Sequence, residues 1–163
     1  MTEPSETRIT VAIVGDHPLV LAGLHSVLEA AGDITVVAEA SDGDEVPAMV
    51  ATHAPAIVLM DLSMARVGGV EATRLLRASA ADTRVIVLSS YSDRARVEQA
   101  LAAGAVGYLL KDSEPAELLA GVRSAGRGHV PIDPRVAGVL LPTSDADATA
   151  EISVSGLSQR ERE

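Results

Sequence analysis

The chain has 163 residues, which is enough for one domain with an appendage, because a single hydrophobic core typically serves about 100 to 150 residues. Its formal net charge of -10 and its pI near 4.8 disfavour binding of nucleic acid or anionic membrane through this segment, since both are polyanions. The absence of cysteine excludes disulfides and thiol nucleophiles, and the polar start at residues 1–8 and the lack of a long apolar run predict a soluble cytoplasmic protein with no membrane span.

Five apolar runs predict the strands of a sheet. Four of them are continuous rather than alternating, which is typical of strands covered on both faces, and they lie at residues 11–14, 57–60, 85–88 and 108–110. The run from Ile34 to Ala38 is more mixed and predicts an edge strand.

Helical stretches separate these strands. In the clearest one, leucines recur at helical spacing between Leu21 and Leu28, and Gly32 acts as a stop. Further helices are expected at residues 44–52, 70–78, 93–103 and 115–125. The alternation is (βα)5, and right-handed crossovers with helices on both faces predict an α/β fold with a doubly wound, five-stranded parallel sheet.

The pattern changes near the end of the fifth helix. We expect residues 1–8 to be a disordered N-terminus, residues 9–127 to form the domain, and residues 128–156 to hold a short helix at 134–141 and a flexible linker rich in Asp, Ala, Ser and Thr. Ser158 and Glu161 then have the spacing of a capping box. Residues 157–163 therefore predict the opening of a further domain.

Polar residues follow four of the predicted strands: Gly15-Asp16, Asp61, Ser89 and Lys111, which is the only lysine beside twelve arginines. In open α/β sheets the ligand site lies at the carboxyl ends of the strands, so these side chains should converge. Each could instead be a helix cap, a partner of backbone or a solvated charge. Their coincidence at one edge favours a site for a metal-assisted phosphoryl group.

Each residue type has a role in such a site. Asp61 can attack phosphorus as a carboxylate nucleophile. Mg²⁺ can neutralise the two approaching anions through oxygen ligands from Asp16, Asp61 and the carbonyl of Ser63. Lys111 and Ser89 can hold the phosphoryl oxygens.

These motifs resemble the response-regulator receivers, and specifically the NarL/FixJ subfamily with a LuxR-type helix-turn-helix output. The resemblance rests on Ile13-Val14-Gly15-Asp16-His17-Pro18, Met60-Asp61-Leu62-Ser63-Met64, Val87-Leu88-Ser89-Ser90 and Gly107-Tyr108-Leu109-Leu110-Lys111-Asp112. The stretch 157–163 looks like the opening of the LuxR-type DNA-binding domain, and we expect that domain to be truncated here.

The resemblance implies a flavodoxin-like, CheY-like fold in which a sensor histidine kinase phosphorylates Asp61. It also implies that Asp16 binds Mg²⁺, that Lys111 contacts the phosphoryl group, and that Ser89 and Tyr108 form a switch pair. Such a receiver is not an enzyme beyond slow autodephosphorylation. We expect it to form a homodimer on activation and to bind DNA only through the C-terminal domain, in control of transcription.

Gly15 departs from the family pattern, since it replaces the first of two adjacent acids. Ala65 replaces a usual Pro, and Gly68 stands where Asp is frequent. Gly15 favours an alternative: an atypical, phosphorylation-independent receiver that acts as a protein- or ligand-binding regulatory module.

Two enzyme classes fit less well. Aspartate-nucleophile phosphatases often carry an acid where this chain has Ser63, and a dinucleotide enzyme would need a Gly-rich loop after the first strand.

Overall fold

The computed structural model describes residues 8–79 and 82–140. They form a five-stranded, all-parallel sheet in the order β2-β1-β3-β4-β5, which confirms the predicted doubly wound α/β fold. The strands are β1 (Ile9–Val14), β2 (Ile34–Ala40), β3 (Ile57–Asp61), β4 (Arg84–Ser89) and β5 (Gly107–Leu110). The helices are α1 (Pro18–Ala30), α2 (Val46–His53), α3 (Gly69–Ser79), α4 (Arg94–Ala103), α5 (Pro115–Gly126) and α6 (Pro134–Leu140). The mixed run that predicted an edge strand is β2, at one edge of the sheet.

Both faces of the sheet are buried. Val11 and Ile13 of β1 pack with residues of α1 and α5, whereas Ala12 and Val14 pack with residues of α2, α3 and α4. All four side chains are at most 3% exposed. This two-sided burial explains why the strand sequences are continuously apolar, and each large aliphatic side chain contributes about 1.5–3 kcal/mol by leaving water.

The order of the strands determines which loops meet. The chain passes from β1 to one side for β2 and then returns to the other side for β3, so the strand order reverses between β1 and β3. The register pairs Val14 with Met60, which places Gly15 beside Asp61 at the carboxyl edge. Across β4 and β5, Ser89 pairs with Leu110, so that Lys111 emerges at the same edge.

Helix boundaries follow local sequence, with one difference. Helix α1 ends just before Gly32, whose φ of 85° is costly for other residues. The predicted helix at 44–52 instead begins with a 3-10 turn, Gly43–Glu45, and becomes α-helical at Val46. The difference arises because the side chain of Asp42 accepts a hydrogen bond from the Asp44 amide and stabilises the tighter turn.

The chain after α5 returns to the sheet. The Tyr108 amide donates to the Pro131 carbonyl at 3.0 Å, and the Asp133 amide donates to the Tyr108 carbonyl at 2.9 Å, so residues 131–133 lie along the outer edge of β5. Helix α6 then packs on α4, with Val136 completely buried. The predicted short helix therefore packs on the domain. The predicted linker after Leu140 and the capping box at Ser158 lie outside the described residues, as does nearly all of the predicted disordered N-terminus.

Within residues 8–79 and 82–140, no helix has the length and apolar character needed to cross a membrane.

Candidate functional site

Asp61 lies at the centre of the carboxyl edge, with its side chain only 9% exposed. Lys111 Nζ lies 2.9 Å from its Oδ2 atom, and the Ser63 amide donates to its Oδ1 atom at 3.1 Å. These two contacts, one on each carboxylate oxygen, hold the side chain in one orientation. The structure thus brings together the predicted nucleophile and the only lysine.

The loop after β1 supplies a second acid to the same site. One ligand atom each from Asp16, His17 and Asp61 lies within 4.8 Å of the others. The sequence predicted that Asp16 and Asp61 meet, but it gave no role to His17, whose only signal was its place directly after Asp16. Carboxylate oxygens are the ligands that Mg²⁺ prefers, so this donor set fits such an ion.

Ser63 approaches the site through its backbone. Its amide holds Asp61 Oδ1 as part of a turn that begins at the strand end. The predicted use of its carbonyl as a metal ligand stays a prediction.

Neighbouring atoms do not force the residue at position 15 to be glycine. A Cβ atom built there would lie 3.5 Å from both Cβ and Oδ2 of Asp61 and 3.6 Å from Cδ2 of Leu21, which are ordinary contact distances. Its backbone is also outside the left-handed region that only three glycines of the described chain adopt. A Cβ atom is therefore tolerated at Gly15, and neither crowding of that atom nor backbone conformation requires glycine there.

Ser89 and Tyr108 are both buried, and each hydrogen-bonds the backbone of Tyr91. The Tyr91 amide donates to Ser89 Oγ at 3.0 Å, and the Tyr108 hydroxyl donates to the Tyr91 carbonyl at 2.7 Å. Burial raises the pKa of Tyr108, so the hydroxyl stays protonated and able to donate. Ser89 is tied to the site loop because its carbonyl accepts the Lys111 amide at 2.9 Å.

Asp42 fixes the loop that follows Asp61, a role that the sequence did not predict. Its carboxylate accepts hydrogen bonds from the amides of Arg66 and Val67, both at 2.8 Å, and from Asp44 at 3.2 Å. Burial raises the pKa of Asp42, but these three amides outweigh that effect and lower it to about 2. The sequence signal for this role of Asp42 is weak, since an acid that precedes a glycine is common in turns.

A second unpredicted cluster connects α6 to the site. Arg135 contacts the buried carboxylate of Asp133 through its Nε and Nη2 atoms at 3.1 and 3.0 Å, and its Nη2 atom lies 3.0 Å from Asp112 Oδ1. Hydrogen bonds from Arg135 lower the pKa of Asp133. Since Asp112 directly follows Lys111, the start of α6 is joined to the loop that carries the site lysine.

Comparison with known proteins identifies the family. Residues 11–123 match the family described as response regulator receiver domain. The chain belongs to the response-regulator receiver family. This receiver is 37% identical over 155 residues to the transcriptional regulatory protein LiaR of Bacillus subtilis, a match that covers 95% of this chain and 74% of LiaR. It is 36% identical over 155 residues to the nitrate/nitrite response regulator NarL of Escherichia coli, covering 94% of this chain and 72% of NarL.

Solved structures agree with this assignment. A LuxR-family two-component response regulator from Aurantimonas sp. SI85-9A1 superposes with a TM-score of 0.78 at 34% identity, covering 80% of this chain and 94% of that one. The predicted resemblance to the NarL/FixJ subfamily is therefore confirmed, and the chain contains the receiver domain of a LuxR-family two-component response regulator.

Proposed function

We propose that Asp61 accepts a phosphoryl group from the phosphohistidine of a sensor kinase and so controls a DNA-binding output domain. The observation that carries this proposal is the geometry at the strand-order reversal. A buried carboxylate lies 2.9 Å from the only lysine and within 4.8 Å of ligand atoms on Asp16 and His17. Nucleophile, neutralising cation and metal-binding acid are thus within reach of one phosphoryl group.

The phosphoryl group passes from the donor phosphohistidine to Asp61. An oxygen of Asp61 forms a bond to phosphorus while the phosphorus–nitrogen bond of the donor breaks, and the imidazole leaves with the electron pair. Mg²⁺, held by Asp16 and Asp61 with the carbonyl of Ser63, would supply positive charge for the equatorial oxygens. Lys111 exchanges its contact with the carboxylate for one with the phosphoryl group, and the Ser63 amide keeps the acceptor oriented.

Slow loss of the group follows from the same chemistry. Attack of water on phosphorus breaks the acyl phosphate, releases inorganic phosphate and restores the Asp61 carboxylate. The side chain of Asp16 is 34% exposed, so water can reach the site on that side.

The signal leaves the site through the fourth and fifth strands. A phosphoryl group on Asp61 offers new oxygen acceptors near Ser89, which would draw the hydroxyl away from the Tyr91 amide. Tyr91 also holds the Tyr108 hydroxyl, so the two proposed switch residues respond together. The output of the switch is formation of a homodimer and DNA binding through the region that begins near residue 157. The receiver meets its kinase in the cytoplasm.

Gly15 supports one second candidate, a receiver that regulates by binding a protein or ligand without phosphorylation. Because a Cβ atom meets only ordinary contacts there, crowding at that atom does not account for the missing acid, and a relaxed requirement for the metal does.

The test is intact-mass measurement after incubation with Mg²⁺ and acetyl phosphate. The parent should gain one phosphoryl group, and Asp61→Asn should gain none. Asp112→Asn is the matched control, since it removes an exposed carboxylate next to Lys111 and should leave the gain unchanged. No gain in the parent, or a gain that persists in Asp61→Asn, would refute the proposal.

A further inference from the structure

We propose that His17 is a metal ligand. Together with Asp16 and Asp61 it completes the cation site that Gly15 leaves one carboxylate short, and its nitrogen makes the site bind Zn²⁺ in addition to Mg²⁺. The inference rests on the proposed function, because it concerns the same cation site.

His17 holds a helix-capping position without capping the helix. It occupies the N-cap of α1, where Ser, Thr, Asp and Asn are favoured because their side chains accept a backbone amide. The His17 side chain makes no such bond. Its ring instead places Nδ1 2.9 Å from Asp16 Oδ1. The capping position is therefore used for a side chain that points at the site.

The three ligand atoms lie nearly close enough to share one ion. Ligands that lie about 2.1 Å from a common ion are about 3 to 4 Å apart. The ligand atoms of Asp16, His17 and Asp61 are already within 4.8 Å of one another, so movements of about an ångström would allow all three to bind one ion. The His17 side chain is 64% exposed, and such a rotation disturbs no core packing.

The three side chains combine oxygen and nitrogen ligands. Carboxylates and water suit Mg²⁺, whereas imidazole suits Zn²⁺ and other transition ions. A site with two acids directly after β1 would offer mainly oxygen ligands. With Gly15 in the first position, the residues after β1 offer one oxygen ligand and one nitrogen ligand.

The structure also supplies a matched control. His25 on α1 lies 2.9 Å from Glu39, the same separation as His17 and Asp16. The groups of three or more metal-ligating side chains in the described part of the chain do not include this pair. If Zn²⁺ simply binds surface histidines that lie beside an acid, its binding should therefore depend equally on His17 and His25.

The experiment is calorimetric titration of the full chain with Zn²⁺ and, separately, with Mg²⁺. His17→Ala should weaken Zn²⁺ binding at least about tenfold, because loss of even an outer-shell partner of a metal typically costs that much. The same variant should change Mg²⁺ affinity much less. His25→Ala should bind both ions like the parent. With ¹⁵N-labelled histidine, Zn²⁺ should shift the ring nitrogens of His17, and amide spectra of the variants show that they remain folded.

Each other outcome contradicts the inference in a recognisable way. If His17→Ala binds Zn²⁺ as the parent does, or if His25→Ala loses as much affinity, then His17 is not a ligand while the cation site stands. If the parent binds neither ion, the proposed cation site itself fails.

Discussion

Restoring the missing acid with Gly15→Asp should tighten Mg²⁺ binding and destabilise the metal-free protein. The new Cβ would lie 3.5 Å from Asp61 Oδ2 and meet only ordinary contacts, so the backbone need not shift to admit it. Gly15→Asn has nearly the same shape and the same effect on the unfolded chain, but no charge. The difference between the two variants therefore isolates the carboxylate.

The size of the effect follows from the position of the new charge. An ion bound by Asp61 would lie about 5 Å from it, and Coulomb's law in water gives about 1.7 kcal/mol for a divalent ion at that distance. Screening by salt reduces this to about 1 kcal/mol, which is about a fivefold gain in affinity. Without metal, repulsion from the neighbouring carboxylates should lower the free energy of unfolding by about the same amount.

The assay combines Mg²⁺ titration by calorimetry or NMR with urea unfolding in the presence and absence of the ion. Gly15→Asp should bind more tightly than Gly15→Asn and should be the less stable of the two only when Mg²⁺ is absent. Equal affinities for the two variants would refute the electrostatic reasoning. No Mg²⁺ binding by the parent, with binding restored in Gly15→Asp, would instead favour the phosphorylation-independent receiver.

Three further predictions follow from the contacts around the site. Because the folded pKa of Asp42 is about 2, below its ordinary 3.8, its ionised form contributes stability that is present above pH 3.8 and lost as the pH falls towards 2. The gap in unfolding free energy between the parent and Asp42→Asn should therefore close across that window in acid titrations, and a constant gap would contradict it. Tyr108→Phe should cost about 1 kcal/mol in urea unfolding by removing the hydrogen bond to Tyr91, and an unchanged midpoint would argue against that bond. Lys111→Arg should slow phosphorylation by acetyl phosphate while leaving the unfolding midpoint nearly unchanged, since a planar guanidinium cannot replace a compact ammonium; parental kinetics would show that the lysine is incidental.

The sheet and the centre of the site could be predicted from sequence because they depend on repeated local signals. Apolar runs indicate the strands, and the rule that ligands bind at strand carboxyl ends predicts that Asp16, Asp61 and Lys111 converge. The structure places Lys111 Nζ 2.9 Å from Asp61, as that reasoning required.

The contacts that support the site could not be predicted in the same way. Asp42 reaches Arg66 across 24 residues, and Arg135 at the start of α6 reaches Asp112 across 23. No periodicity in the sequence relates the residues of either pair. The hydrogen bonds of Tyr91 are made by its backbone, which any residue would offer equally. Such contacts depend on how separate loops meet in the fold, so local sequence does not specify them.

The central claim is that Asp61 alone carries the phosphoryl group, and chemical trapping tests it most directly. The full chain, phosphorylated with acetyl phosphate and Mg²⁺, is treated with borohydride, which reduces an aspartyl phosphate to homoserine, and its peptides are sequenced by mass spectrometry. We predict conversion at Asp61, the end of β3, and at no other acid. Conversion at Asp16 or at any other carboxylate, or none in a fully phosphorylated sample, would contradict the account.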